Sequence, residues 1–244
     1  MKARNILATL LLMVAGLQTA TAQKMVVTLN DNSKVTYSIS QVKEVSFVEP
    51  GEHDYVDLGL PSGTLWATCN VGASKPEEYG DYFAWGETEP KDHYDWSTYF
   101  DTDDNGSTFK KYNSNGGLTE LLPEDDAATT NWGNDWQMPS LEQIKELYDS
   151  GNTTTEWTQL NGVDGFKITS NSNDNSIFLP AAGFRYETGL YDAGVYAIYW
   201  ARTLHPSINF YAAGLKFYSN DSLSAVGSGR NYGLSIRPVR VNYR

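Results

Sequence analysis

Pro139-Ser140-Leu141-Glu142-Gln143-Ile144-Lys145-Glu146-Leu147-Tyr148 is the stretch that decides the fold class. Ser140 and Gln143 stand at the spacing of a capping box, in which a hydroxyl accepts from the amide three residues on and that residue's side chain returns the bond. Leu141, Ile144, Leu147 and Tyr148 then share one helical face, and Gly151 can end the run. A helix with a single apolar stripe has to cover a core. Upstream, Leu122-Pro123-Glu124-Asp125-Asp126-Ala127-Ala128 opens a second, shorter helix, since proline and acids suit a first turn. Short β-like runs fill the rest, at 64–69, 79–85, 165–170, 176–180, 195–203, 210–218 and 234–241, separated by Gly, Asn, Asp and Ser clusters. Two short helices among many strands predict an α+β domain rather than a βαβ sheet.

Residues 1–22 combine Lys2 and Arg4 with an apolar run at 6–14 and then Ala20-Thr21-Ala22 before Gln23, the three-part pattern of a secretory signal peptide. A membrane span needs ~20 apolar residues, which this run does not reach. The expectation is export to the periplasm, the cell surface or the medium, with no transmembrane segment after cleavage. Gln23 in place of a cysteine after the cut speaks against a lipid anchor. Residues 23–50 read as a small β leader, with runs at 25–29, 34–39 and 44–48 and turn chemistry in Asn30-Asp31-Asn32-Ser33. Pro50-Gly51-Glu52 marks the break, so that 51–244 forms the main domain.

Hydrophobic residues make up 40% of the chain and charged residues 20%, with 16 Tyr and 7 Trp, enough apolar and aromatic material for a core. The formal charge of −12 argues against a phosphate-backbone partner, so no nucleic acid is expected. Cys69 is the single cysteine, which excludes an intrachain disulfide and leaves packing to hold an exported domain together. Beside Leu65-Trp66-Ala67-Thr68 it reads as a small buried apolar residue.

Several blocks resemble a known group. Tyr55-Val56-Asp57-Leu58-Gly59-Leu60-Pro61-Ser62-Gly63-Thr64-Leu65-Trp66-Ala67 and Tyr79-Gly80-Asp81-Tyr82-Phe83-Ala84-Trp85-Gly86-Glu87 are followed in order by Trp136-Gln137-Met138-Pro139-Ser140, Phe178-Leu179-Pro180-Ala181-Ala182-Gly183 with Tyr199-Trp200, and Gly233-Leu234-Ser235-Ile236-Arg237-Pro238-Val239-Arg240. Together, over roughly 53–241, they resemble the Fibrobacter succinogenes major paralogous domain of exported Bacteroidota proteins. That family is similar to the formylglycine-generating-enzyme branch of the C-type lectin fold. The resemblance implies a C-type-lectin-like α+β domain of short mixed and antiparallel strands with about two short helices, its termini meeting in one sheet. The enzyme chemistry does not carry over, because it needs a cysteine pair near the C-terminus.

Asp101-Thr102-Asp103-Asp104-Asn105-Gly106 reproduces the first half of a calcium loop, with Asp101, Asp103 and Asn105 as oxygen ligands; position twelve is Tyr112 rather than a bidentate Glu, and such runs are also ordinary turn material. Glu87, Glu89, Asp92 and Asp95, interleaved with Trp85, Tyr94 and Trp96, are the carboxylates a carbohydrate-active enzyme would draw on. No zinc-ligand spacing, Ser-His-Asp pattern or nucleophile elbow occurs, and the expectation is a protein that is not an enzyme.

The aromatic supply is more informative. Trp200, Phe210, Tyr211, Phe217, Tyr218 and Tyr232 are interspersed with Arg202, His205, Asn209, Asn220, Arg230 and Asn231. One set of these residues is expected to face the core, Trp200 and Phe217 among them, and Tyr211, Tyr218 and Tyr232 are expected to be exposed, where flat rings beside polar donors suit a sugar or a partner protein. Arg202, His205, Asn209, Tyr211, Tyr218, Asn220, Arg230 and Tyr232 are the expected ligand-binding set. The alternative is that these rings only fill a core without disulfides. Arg237 and Arg240 are expected in structural roles, one of them beside a buried acid such as Asp81. The leading expectation is an exported binding or adhesion module for a glycan or a surface protein. The alternatives are the carbohydrate-active enzyme and a structural subunit of a surface assembly whose leader pairs with a neighbour's sheet edge.

Overall fold

The computed structural model describes residues 24–28, 34–38, 53–102, 106–219 and 223–241. The chain divides into two compact units, Met1–Glu49 and Pro50–Arg244. In the first, β1 (Lys24–Thr28) and β2 (Lys34–Ser38) form an antiparallel hairpin in which Lys24 faces Ser38 and Thr28 faces Lys34. Residues 1–22, expected from the sequence to be a signal peptide, and the run at 44–48 lie outside the described residues.

The second unit is α+β, built of small antiparallel sheets and two short helices. β3 (Tyr55–Asp57) and β4 (Thr64–Ala67) pair with each other, and β4 pairs on its other side with β13 (Val239–Val241), so the beginning and end of this unit share one sheet in the order β13-β4-β3. A second sheet joins β5 (Thr153–Leu160), β6 (Val163–Ser170) and β7 (Ser176–Pro180). β8 (Phe184–Tyr186) and β9 (Gly189–Tyr191) form a ribbon. A third three-stranded sheet orders β10 (Tyr196–Leu204), β11 (Tyr211–Tyr218) and β12 (Ser224–Gly229).

The helix expected from Ser140 is α2 (Leu141–Tyr148), and both halves of its capping box form: Ser140 Oγ accepts from Gln143 N at 3.2 Å, and Gln143 Oε1 accepts from Ser140 N at 2.8 Å. Ile144 and Leu147 are buried, and Leu141 and Tyr148 pack against the same cluster. The second helix departs from expectation. Pro123–Asp125 is a single 3-10 turn, and α1 (Ala127–Trp132) starts afresh with Asp126 as its N-cap, accepting from Thr129 N at 3.0 Å. Asp126 also accepts from Met138 N at 2.8 Å, so this acid ties α1 to the segment leading into α2. Among the described residues, no helix is long and apolar enough to cross a membrane.

β10 separates two cores. Ala197, Tyr199 and Ala201 join one cluster with Trp66, Ile144, Leu147, Phe166 and Phe217; Tyr196, Ile198 and Trp200 join the other with Phe83, Trp85, Tyr112 and Leu234. Period-two alternation thus gives two apolar faces where one was expected to meet solvent. The polar tips of the buried rings end on carbonyls: Trp85 Nε1 donates to Ala201 O and Trp200 Nε1 to Phe83 O, both at 2.8 Å. Tyr199 and Tyr82 donate to Pro180 O and Ala182 O at 2.7 and 2.6 Å. Each bond fixes a large side chain in place without a covalent link.

Three further readings are corrected. The run at 79–85 contributes only an isolated bridge, Phe83 to Leu234, because Tyr82, Phe83, Ala84 and Trp85 are all buried and no face is left to alternate. Cys69 is half-buried, not a core residue. Arg237 is fully buried, but its guanidinium meets Asn70 Oδ1 at 2.8 Å and the carbonyls of Ala67, Thr68 and Phe178 rather than Asp81. Burial pulls its pKa below the ordinary value, while four oxygen partners satisfy the cation.

Candidate functional site

A cavity of about 540 Å³ opens between the β8–β9 ribbon, the β10–β12 sheet and the loop carrying Trp96. Eight of the described residues that line it are aromatic: Trp96, Phe184, Tyr186, Tyr196, Phe210, Tyr211, Tyr218 and Tyr232. The three tyrosines singled out in the sequence therefore meet in one place. Tyr218, at the end of β11, is 40% exposed and stacks on Tyr196 across the sheet, with centroids 4.1 Å apart and planes 25° from parallel. Tyr232 and Tyr211 are half-buried rather than fully outward. Tyr232 stacks on Phe184 at 5.8 Å and meets Tyr186 edge-on at 5.1 Å, while Tyr211 sits edge-on to Phe210 at 4.8 Å.

Burial pushes the hydroxyl pKa of Tyr196 well up, reinforced by Tyr218 beside it, and burial likewise raises that of Tyr232, with smaller contributions from Tyr186 and Tyr211. Both phenols stay neutral across the biological range and act as hydrogen-bonding groups, not as acids or bases. Glycines keep the wall open. A Cβ on Gly227 would fall 2.6 Å from His205 Cδ2 and 3.1 Å from Tyr211 Cδ2, and one on Gly229 would fall 2.9 Å from Asn231 Oδ1.

The polar complement of the cavity is Asp192, Ser228 and Asn231, with no Lys, Arg or His among the described lining residues. Asn231 is 1% exposed, and its Oδ1 has no hydrogen-bond partner. Sequence reasoning had placed Trp96 with the 87–95 carboxylates and missed Phe184, Tyr186, Asp192 and Tyr196, which lie before the stretch that carries the expected set. Tyr-rich composition was the one signal pointing at Tyr186.

The polar part of the expected set is dispersed. Arg202 is held by Gln137 Oε1 at 3.0 Å and Glu120 at 3.3 Å. Asn209 Oδ1 accepts from Ser114 N and Oγ, both at 2.8 Å. His205 stands edge-on to Tyr211 at 6.2 Å, behind Gly227, and its Nδ1 accepts from Ser207 N. Asn220 lies outside the described residues.

Arg230 is corrected outright: it is fully buried, pairs with Asp101 at 3.1 Å, donates to Tyr112 O at 2.8 Å and lies 4.0 Å from the Phe109 ring centroid. Asp101 in turn is 1% exposed and accepts from Lys111 N at 2.8 Å and Tyr112 N at 3.2 Å, so both of its oxygens are already engaged inside the protein. Asp103 and Asn105 fall outside the described residues. Among those described, no three His, Cys, Asp or Glu side chains gather as a metal site.

Two of the four carboxylates of the 87–95 segment, Glu87 and Asp95, are bound locally. Glu87 pairs with Lys91 at 2.7 Å and accepts from Phe100 N, and Asp95 accepts from Ser97 Oγ and Thr98 N beside His93. Asp92 lines a separate polar hollow with Asp81, Lys91 and Arg185. A further hollow of about 460 Å³, between Val56 and β5–β7, carries few rings. Compared with protein-family models, curated proteins and solved structures, the chain matches none of them.

Proposed function

We propose that this chain is an exported, non-catalytic binding module of C-type-lectin-like architecture that recognises a glycan or a surface-protein ligand through the cavity between the β8–β9 ribbon and the β10–β12 sheet. One observation carries the reading: eight aromatic rings converge on a single open cavity. Rings present flat apolar faces with polar edges, the combination that grips the apolar face of a sugar ring or an exposed side chain while leaving hydroxyls free to bond. The signal-like segment at 1–22 supports export. The ordered sequence blocks, together with a sheet that joins the start and end of the domain, support the lectin-like architecture. Glu87, tied to Lys91, and Asp95, tied to Ser97 and Thr98, favour a structural role for these two acids over hydrolysis.

The test is a glycan-array and pull-down screen on the mature chain, repeated with Tyr211, Tyr218 and Tyr232 all changed to Ala. Binding weakened by the triple change by ~10-fold or more supports the reading, since an aromatic contact is worth about 1 kcal/mol beyond its buried area. Unchanged binding, or polysaccharide turnover that Glu87→Gln abolishes, would sink it.

A further inference from the structure

We infer that the aromatic cavity is the anchor site for a basic side chain, lysine or arginine, of a protein partner, with the Asp192 carboxylate as the counter-charge. The inference rests on the binding-module reading and chooses between its two ligand classes.

Aromatic rings carry partial negative charge on their faces, so a cavity walled by them attracts a cation, the more so where water is partly excluded. Eight rings line this one, and Asp192 is the single Asp, Glu, Lys or Arg among its described lining residues. Asp192 is exposed, and among the described residues no ion pair or side-chain hydrogen bond engages its carboxylate. Its backbone is fixed: the carbonyl accepts from Val195 N at 3.2 Å and Tyr196 N at 3.0 Å, which ties the residue to the start of β10. Its charge reaches the cavity wall. Burial foremost keeps the Tyr196 hydroxyl neutral, and the Asp192 carboxylate adds to that effect. The chain already shows the pairing of cation and ring nearby, since the Lys216 ammonium lies 6.0 Å from the Tyr218 ring centroid. A formal charge of −12 draws a basic partner toward the molecule and repels an acidic one.

The surroundings decide between protein and glycan. Leu190, Tyr191 and Val195 flank Asp192 in the chain, Phe210 and Tyr218 stand on the lining, and all five are 40–51% exposed. Tyr191 also stacks on Phe184, a lining ring, with centroids 5.6 Å apart. Exposed apolar side chains around one charge make a protein-docking patch, in which an anchor enters a pocket and its surround excludes water. A lysine or arginine fits because its methylene stem packs on rings while its charged head reaches a carboxylate. A neutral sugar brings Asp192 no charge and leaves the apolar side chains around it in water.

The experiment titrates the full chain at low salt, by ligand-observed NMR, with a capped Gly-Ser-Lys-Ser-Gly peptide, its arginine counterpart, the lysine peptide acetylated on Nζ, and neutral oligosaccharides. It is repeated with Asp192→Asn, with Lys216→Met, and with Glu156→Gln, an exposed acid outside the cavity lining. Asn keeps the shape of Asp and tolerates the φ of 56° found at this position. The expected result is binding of at least one basic peptide, weaker by about tenfold or more once lysine is acetylated. Asp192→Asn should lose about tenfold at an unchanged melting temperature, Lys216→Met should hold or gain, and Glu156→Gln should shift binding by less than about twofold. Equal binding of the acetylated peptide overturns the choice of a cation and leaves an apolar binding site. An equal loss in Glu156→Gln and Asp192→Asn overturns the role of Asp192, because net charge then explains both. Oligosaccharide binding without peptide binding overturns the protein ligand and keeps the module as a glycan binder. Absence of binding by every probe overturns the inference and the reading beneath it together.

Discussion

Replacing Asp101 by Asn tests how this domain holds together without disulfides. Arg230 is 0% exposed and Asp101 1%, with Nη1 and Oδ2 3.1 Å apart. Asn keeps the shape and removes the charge. Its new amide group, placed at Oδ2, faces the Arg230 donor and the Tyr112 amide, which had both bonded to that oxygen. A guanidinium sealed against Phe109 and Trp85 then keeps Tyr112 O and the Tyr99 hydroxyl as partners but loses its paired carboxylate. Breaking one side of a buried pair costs about 3–5 kcal/mol. At ~2–4 °C per kcal/mol for a domain of this size, melting should drop by roughly 6–20 °C. Urea titration followed by tryptophan fluorescence measures the loss directly. The double change Asp101→Leu with Arg230→Met removes the stranded charge and should recover most of it, because buried pairs are commonly replaceable by apolar residues. The reasoning fails if Asp101→Asn costs less than ~1 kcal/mol, or if the two sites prove additive.

Two other outcomes are expected. His53 stacks on Trp132 with centroids 3.5 Å apart, and burial lowers its pKa below 6.5, more than the Asp54 charge raises it. Its neutral form is thus the one the fold favours: the contribution is complete above the unfolded value and is lost as the pH falls through the lower folded value. Unfolding midpoints taken between pH 7 and 5 should decline in wild type and decline less in His53→Phe; identical slopes would remove the assignment. Calcium at millimolar concentration, compared with a chelator, should leave the melting temperature unchanged, since both Asp101 oxygens are bonded within the protein; a rise with calcium would mean that the ion displaces Arg230 or the Lys111 and Tyr112 amides.

Local chemistry was legible wherever a signal is contained in a few neighbouring residues. The Ser140–Gln143 box and its apolar stripe predicted α2 and its N-cap, and the β-like runs located β7 and most of β6, β10 and β11. β12 escaped because Ser224-Ala225-Val226-Gly227-Ser228-Gly229 has almost no hydrophobic pattern; it is a strand because β11 pairs with it. β5, rich in Thr, likewise takes its form from β6. α1 was misplaced because proline and acids were read as its first turn, whereas Asp126 caps it one turn later. At the site, Tyr211, Tyr218 and Tyr232 were legible as ligand-surface candidates from their place among polar residues, while their convergence on one cavity depends on the tertiary fold. The fate of Arg230 was not legible: the acid that draws it inward lies 129 residues away, and nothing near either residue encodes the other.

The closing sheet also governs how the domain answers a pull. Tyr55 lies opposite Ala67 and Val241 opposite Thr64, so β3 and β13 run the same way on the two flanks of β4. Traction applied at Tyr55 and at Val241 comes from opposite ends of the sheet and along its strands. The bonds to β4, which lie across that direction, must then slide together instead of parting one by one. In flowing fluid, an anchored molecule gripped at these two points would resist as a shear joint, and the aromatic cavity would keep its shape until that joint gave way.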